Sequence, residues 1–448
     1  MQTKNIVENN LALTPSAVKI EYINITNHKG ELREVKNICV KTEIRESIFT
    51  PYLNLRLEFS DATNLLETFQ MIGQETIKIK LIRREPDGTE EEHSIELDFV
   101  VTDYPTYGKG QSENLQVFVI NAISTHAYKS TFKKISRSYS GTATDEIKKI
   151  FEEDLELNTS FKNYGEDVSR HRGVINIQQP LDAIEYFRRI AYDGSNSPFY
   201  LYQLLNGDIS FVSLATLFGD ANTVYRTYYD ARSFSAKTPN DPSSADRAPD
   251  QDYEQRKSRI LEVSSNLNLA KLQQADKGAW ASRNDFLDWS DKSSTRQEFN
   301  YDSIDSRIET NTPLSTNFKV FGQPLNEIPE QHLEHIAVNG AAFKDEDNYG
   351  MMRKQNVAKR NSYESLMNTI SHDIKLFGDF YLNPGRKIEL KFPKAIDPQE
   401  RANLLDDDEK FDEHISGKYI ITSAVHSIEG GEYFTDIRVK RDSFKMEI

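Results

Sequence analysis

Few residues in this chain stand at spacings that do chemistry. His332 and His335, in Gln-His-Leu-Glu-His, lie three apart. On a helix that spacing puts both rings on one face as candidate metal ligands. No third ligand is marked, and metal sites need three or four convergent groups, so surface histidines on a polar segment are the favoured reading. Gly108-Lys109 looks like the end of a phosphate loop, but the position five before Gly108 is Asp103 rather than Gly. Gly108-x-Gly110 also lacks the third glycine of a dinucleotide loop, and a loop between two strands accounts for both patterns. Cys39 sits between Ile38 and Val40 with no histidine near in sequence, which suits a packed thiol better than a nucleophile. The stretch 400–413 carries Glu400, Asp406, Asp407, Asp408, Glu409, Asp412 and Glu413 against Arg401 and Lys410. It lacks the alternate spacing and mid-loop glycine of a calcium-binding EF-hand, and a solvated hairpin tip is expected. There is no Gly-x-Ser-x-Gly elbow and no His-Glu-x-x-His pair. No catalytic residue, cofactor or metal site is expected.

The composition narrows the class. With 55 basic and 70 acidic side chains among 448 residues, the formal net charge is −15. A protein that coats DNA or anionic membrane needs surplus Lys and Arg to displace counterions, and this chain has the opposite balance. Length alone suggests about three domains. Its 24 Phe and 21 Tyr supply enough large side chains for several small cores. One cysteine excludes an intrachain disulfide, so packing must hold the fold. The segment MQTKNIVENN has no apolar core of a secretory signal. Apolar runs such as Phe199 to Leu205 fall far short of the roughly 18 residues that span a bilayer. A soluble protein is expected.

The elements that would position any site are mainly strands. Tyr52 to Phe59 alternates, with Leu53, Leu55, Leu57 and Phe59 on one face and Asn54, Arg56 and Glu58 on the other. That is the period of a half-buried antiparallel strand. Similar segments lie at Val18 to Ile25, Val35 to Ile44, Ile77 to Ile82, Ile95 to Val101 and Leu115 to Ile123, with a Pro-Asp-Gly turn signal between two of them. Six strands in about 110 residues suggest a small barrel or sandwich. From Ser130 the period changes. Thr142 to Leu155 predicts a capped helix with Ile147, Ile150, Phe151 and Leu155 on one stripe. A second helix follows Pro180, with Leu181, Ile184, Phe187, Ile190 and Ala191 inward. Asn206-Gly207 between two apolar runs predicts a hairpin. Strands return at Lys387 to Phe392, Tyr419 to Ser427 and Tyr433 to Lys440, the last two joined across Gly430-Gly431.

The predicted fold class is therefore α+β, mainly β: two antiparallel β-barrel domains bracketing a small α/β domain and an irregular insertion. The expected divisions are a first barrel at 1–129, the α/β domain at 130–218, and a polar linker or arm at 219–258. A second barrel would be built from 259–275 and 365–448, and 276–364 would be an insertion of mixed structure.

Five stretches in order carry a resemblance: Ser138 to Leu155, Val174 to Tyr192, Ser197 to Leu214, Gly278 to Asp288, and Gly417 to Asp442. Together they resemble the central hub protein of contractile-tailed, T-even type bacteriophage baseplates. More distant likenesses are phage late-control proteins and the base of type VI secretion spikes. None of the five is a catalytic motif; their order carries the likeness, while 219–258 and 400–413 have no counterpart. The resemblance implies a homotrimer whose two tube-like barrels per subunit form a six-fold-like ring. It implies the central cell-puncturing spike and the tail tube initiator or baseplate wedge proteins as partners. DNA would pass through the channel without specific binding or membrane insertion. It also implies a place in the virion tail baseplate, assembled in the host cytoplasm. An acidic lumen that repels phosphates would give the −15 a use. The alternatives are a tail-associated cell-wall hydrolase, for which no Glu/Asp pair is marked, and a carbohydrate-binding module. The latter calls for clustered exposed Trp, whereas Trp280 and Trp289 are the only two and lie in one loop-like stretch.

Overall fold

The computed structural model describes 16, 18–83, 93–109, 115–157, 161–164, 167–168, 170–194, 197–219, 222–230, 256–267, 271–301, 319–338, 349–396 and 410–442. The first half of the fold is seven strands in one stretch of chain: β1 Lys19–Thr26, β2 Leu32–Glu34, β3 Cys39–Ser47, β4 Asn54–Asp61, β5 Thr76–Arg83, β6 His93–Lys109 and β7 Gln116–Ser124. They pair antiparallel in the order β3-β4-β7-β6-β5-β1-β2. The alternation of β4 is realised: Leu53, Leu55, Leu57 and Phe59 are all buried, and Phe59 stacks on Phe118 of β7. β6 runs well past the predicted Val101. It pairs β5 with its first part and β7 with its second, and it bends at bulges flanking Asp103. Pro105 falls in that bent stretch, as expected of a residue that cannot donate to a ladder.

The middle block follows. A helix at Thr125–Phe132 leads into β8 Ile135–Thr142 and then the predicted helix, Ala143–Lys149. Its cap is the Thr142 hydroxyl, which accepts from the Asp145 N–H at 3.1 Å. The helix widens into a π turn at Ile150–Asp154, keeping Ile147, Ile150, Phe151 and Leu155 buried. β9 Phe161–Tyr164 and β10 Arg170–Gln178 precede the helix Pro180–Ile190, whose Ala183, Ile184 and Phe187 are buried while Leu181 and Ile190 pack at its edge. The Asn206-Gly207 hairpin forms between β11 Phe199–Gln203 and β12 Ile209–Ser213, and the short helix Leu214–Phe218 ends the block.

The second half is assembled from scattered pieces. β13 Val224–Asp230 lies inside the stretch 219–258: it pairs parallel with a strand some 160 residues later and buries Tyr228. Its few aliphatics hid it, because Tyr supplies the apolar face. β14 Arg259–Ile260 and β15 Glu262–Leu267 come next. Within 276–364 the structure builds β16 Ala281–Asp288, β17 Ser293–Asn300, the short pair β18 Lys319–Val320 and β19 Gln323–Pro324, β20 Leu333–Val338, and the helix Tyr349–Leu366. β17, β16 and β20 form a three-stranded sheet over a cluster that includes Trp280. The half is completed by β21 Ile370–Phe377, β22 Lys387–Lys391, β23 Gly417–Glu429 and β24 Glu432–Arg441. The β23–β24 turn is Gly430-Gly431, both with positive φ (60° and 87°), the mirror-image geometry that suits a two-residue hairpin.

The architecture is mainly β, with large antiparallel sheets. Fourteen of the described strands, drawn from both halves, pair into one sheet. The cause is the length of β23. Its 13 residues pair β24 along one edge, and along the other β22 first and then β3 of the first half. Each half keeps its own core: Leu55, Phe59, Phe99 and Phe118 in the first, and Ile374, Leu390, Tyr419 and Val439 in the second.

Candidate functional site

The β3–β23 ladder is a seam, and the chain concentrates its buried polar groups there. Period-2 alternation carries Thr42, Ile44 and Glu46 inward on β3, and Ala424, His426 and Ile428 inward on β23. Diagonally across the seam, Glu46 Oε1 meets His426 Nε2 at 2.7 Å, and His426 Nδ1 meets the Tyr433 hydroxyl at 2.7 Å. With the His426 proton on Nε2, the imidazole donates to Glu46 and accepts from Tyr433. Asn383, its amide turned to donate, adds a bond to Glu46 Oε1 at 3.2 Å and one to the Phe380 carbonyl at 2.8 Å. Burial pushes the Glu46 carboxyl above its ordinary range and the Tyr433 hydroxyl well above its own. Tyr, His and Glu in series have the make-up of a proton relay. Their exposures are 0%, 1% and 2%, so no substrate reaches them, and the relay works as a joint.

A second cluster ties the halves through charge. Asp379, just after β21, accepts from the Tyr225 hydroxyl at 2.8 Å and the Tyr381 N–H at 3.0 Å. Lys257 lies 3.4 Å from it and Arg83, at the end of β5, 3.8 Å. Arg83 also donates to the Gly378 carbonyl. Burial pushes the Asp379 carboxyl up, but the two cations outweigh it and leave it below the usual range. Beside this cluster a cleft of about 790 Å³ opens where three parts meet: Ser94 and Ile95 of β6, the β11–β12 hairpin with its following helix, and the loop from Phe380 to Arg386.

The residues singled out from sequence do not converge. His332 precedes a strand rather than riding a helix; its Nδ1 is 2.6 Å from the Asp276 carbonyl. His335, three residues on in extended chain, points to the other face and is exposed beside Asp285. Among the described residues no three His, Cys, Asp or Glu side chains are placed to hold a metal. Cys39 is packed in β3, and burial pushes its thiol up to about 11, far from a nucleophile's range. Gly108 and Lys109 belong to β6 itself rather than to a loop, and Gly110 lies outside the described residues. Of the acidic stretch 400–413 only its end is described, where Phe411 bridges Pro393; the carboxylates at 400–409 lie outside. Trp280 and Trp289 are not in one loop. They flank β16, the first fully buried and the second exposed. No described helix is long and apolar enough to cross a membrane.

Sequence reasoning passed over Glu46, His426, Asp379 and Arg83. Two of these left a signal: a charged residue and a histidine, each on the inward phase of an apolar strand, imply a buried partner. Which partner is a tertiary fact.

No family model matches the chain, and no curated protein matches it by sequence. Solved structures do match it. A tail protein from Neisseria meningitidis MC58 superposes with a TM-score of 0.52 at 10% identity, over 94% of this chain and 96% of that one. The two share a fold. A 43 kDa tail protein of prophage MuSo2 from Shewanella oneidensis also matches, with a TM-score of 0.49 at 10% identity over 95% of this chain and 100% of that one. So does an E. coli component of the type VI secretion system described as similar to phage T4 tail proteins, with a TM-score of 0.42 at 10% identity, over 95% and 77% of the two chains.

Proposed function

We propose that this chain is the structural hub of a contractile-tail baseplate: a homotrimer joining a three-fold central spike to a six-fold-like tail tube around a channel for DNA. The observation that carries the reading is the arrangement of two seven-stranded halves, each with its own core, under a sheet made continuous by β3 and β23. Each half is read as one tube-like barrel. In the second, the pairing runs β13–β22–β23–β24–β21–β15, and β14, one residue before β15, pairs back to β13. The domain plan follows: a first barrel to about 129, an α/β unit to 218, and a second barrel from 224 onward interrupted by 276–364. Three subunits would present six such barrels, a platform on which a hexameric tube can be built. The likeness in fold over 94% of the chain to a tail protein from Neisseria meningitidis MC58 supports the reading. The net charge of −15 suits a lumen that passes DNA without binding it.

Light-scattering mass measurement of the purified chain, alone and with its spike partner, tests the proposal. A trimer in either preparation, with a central hole in projection images, supports it. A monomer in both would sink it.

A further inference from the structure

We propose that the cleft at the meeting of the three parts is a receptor for an oxyanion carried on an apolar body, with Arg386 as the group that takes the carboxylate or phosphate. The proposal does not depend on the trimeric hub. A cavity of about 790 Å³ lies within the size range of sites that enclose a small ligand or the end of a peptide. In a chain with 70 acidic side chains, none of the residues lining this cleft is acidic, and two, Lys162 and Arg386, are basic.

The state of Arg386 decides the chemistry. Its guanidinium lies 4.8 Å from the Tyr225 ring centre and 5.7 Å from that of Tyr381. Among the described residues it makes no ion pair and its side chain donates no hydrogen bond. Stacking leaves the in-plane N–H donors free, the fork that matches a carboxylate or phosphate edge. Lys162, by contrast, is held by Asp208 at 2.5 Å. The nearby Asp379 does not neutralise Arg386, because Lys257 and Arg83 already face it.

The wall bearing Arg386 is rigid, so ordering costs on binding are small. Gly385 has φ +84°, and a side-chain carbon there would collide with the Tyr202 hydroxyl. Its N–H donates to the Ile421 carbonyl at 2.8 Å, and its carbonyl accepts from Asn222 at 2.9 Å. Ser94 and Ser210 offer hydroxyls for further oxygens, and Phe380, Leu217 and Val212 offer an apolar surface.

Calorimetric titration of the full chain tests the site with four probes: N-acetylphenylalanine, its neutral amide, phenyl phosphate and inorganic phosphate. Saturable binding of the acid or the phosphates is expected, with the amide weaker by about tenfold or more. Arg386→Gln should weaken the anions by a similar factor. Tyr381→Ala, at a partly exposed position, should also weaken them and serves if the first variant misfolds. Binding of the aromatic anions over inorganic phosphate identifies a chain terminus or aromatic acid as the source. Equal binding of inorganic phosphate would show that the apolar wall contributes nothing and would overturn the proposal of an apolar body behind the oxyanion. If no anion binds saturably, or if the amide or Arg386→Gln binds as well as the acid does to the native chain, the proposal falls.

Discussion

The two halves of the sheet have seven strands each and reach that number by different routes. The first is one stretch, 19–124, whose strands all pair antiparallel. The second is gathered from separated stretches between 224 and 441, and β13 pairs parallel with both β14 and β22. Their interiors differ as well. Among the described residues of the first half no histidine is buried. The second encloses His372 between Ser265 and Tyr419, at 2.8 and 3.0 Å, and the fully buried Arg441, which lies over the Tyr419 ring. Hairpins contiguous in sequence are registered by their own turns, although this half too buries charged groups such as Glu46, Asp61 and Arg83. A half assembled from distant pieces uses polar contacts that work in one register, and those contacts make it sensitive to charge.

Four experiments break or sharpen that contrast. The largest effect belongs to the first half: Leu55→Asp puts an unpaired charge in an apolar core and should cost more than about 5 kcal/mol, abolishing soluble folded protein. A folded, soluble variant would show that this face is not the core. Next, Asp379→Ala removes a buried carboxylate that Arg83 and Lys257 both face. A loss of about 3–5 kcal/mol is expected in denaturant unfolding, and near-neutrality would mean that the seam does not depend on charge.

Third comes pH. Burial, aided by Arg441, holds His372 down at about 4 against an ordinary 6.5. The unfolded chain then binds the extra proton between those values, so stability is full above pH 6.5 and falls as pH drops toward 4. The loss should be at most about 3 kcal/mol. Hydrogen exchange should show it in the second half and not the first, and His372→Gln should flatten it. A uniform loss across both halves would remove the distinction. The smallest effect is at the surface: Arg438 and Asp373 pair at 2.7 Å but are both exposed, and Arg438→Ala should cost less than about 1 kcal/mol by thermal unfolding. A larger loss would show that the ladder between β21 and β24 leans on that pair.

What was legible in the sequence follows the same division. The inward faces of β4, β5 and β7, the Thr142 cap, the helix after Pro180 and the hairpins at Asn206-Gly207 and Gly430-Gly431 all rest on contacts within a few residues or on one repeating period. β13 was not legible. Its Tyr-rich seven residues carry no aliphatic period, and its partners on β22 lie some 160 residues away. The metal alternative for His332 and His335, already disfavoured in the sequence for want of a third ligand, has a related weakness. A spacing of three means one face only if the segment is helical, and here pairing with β16 makes it a strand.

By itself the sequence determined the mainly β character, the acidic balance and the phase of each amphipathic strand. These follow from local sterics and from the burial of one face. The tertiary structure alone decided that β23 would outrun its own half and pair with β3. It also decided that Glu46 would find His426 and that Arg386, among the described residues, would stand unpaired at a cleft. Such facts depend on which distant surfaces meet, and a buried charge or an open edge names the need for a partner without naming the partner.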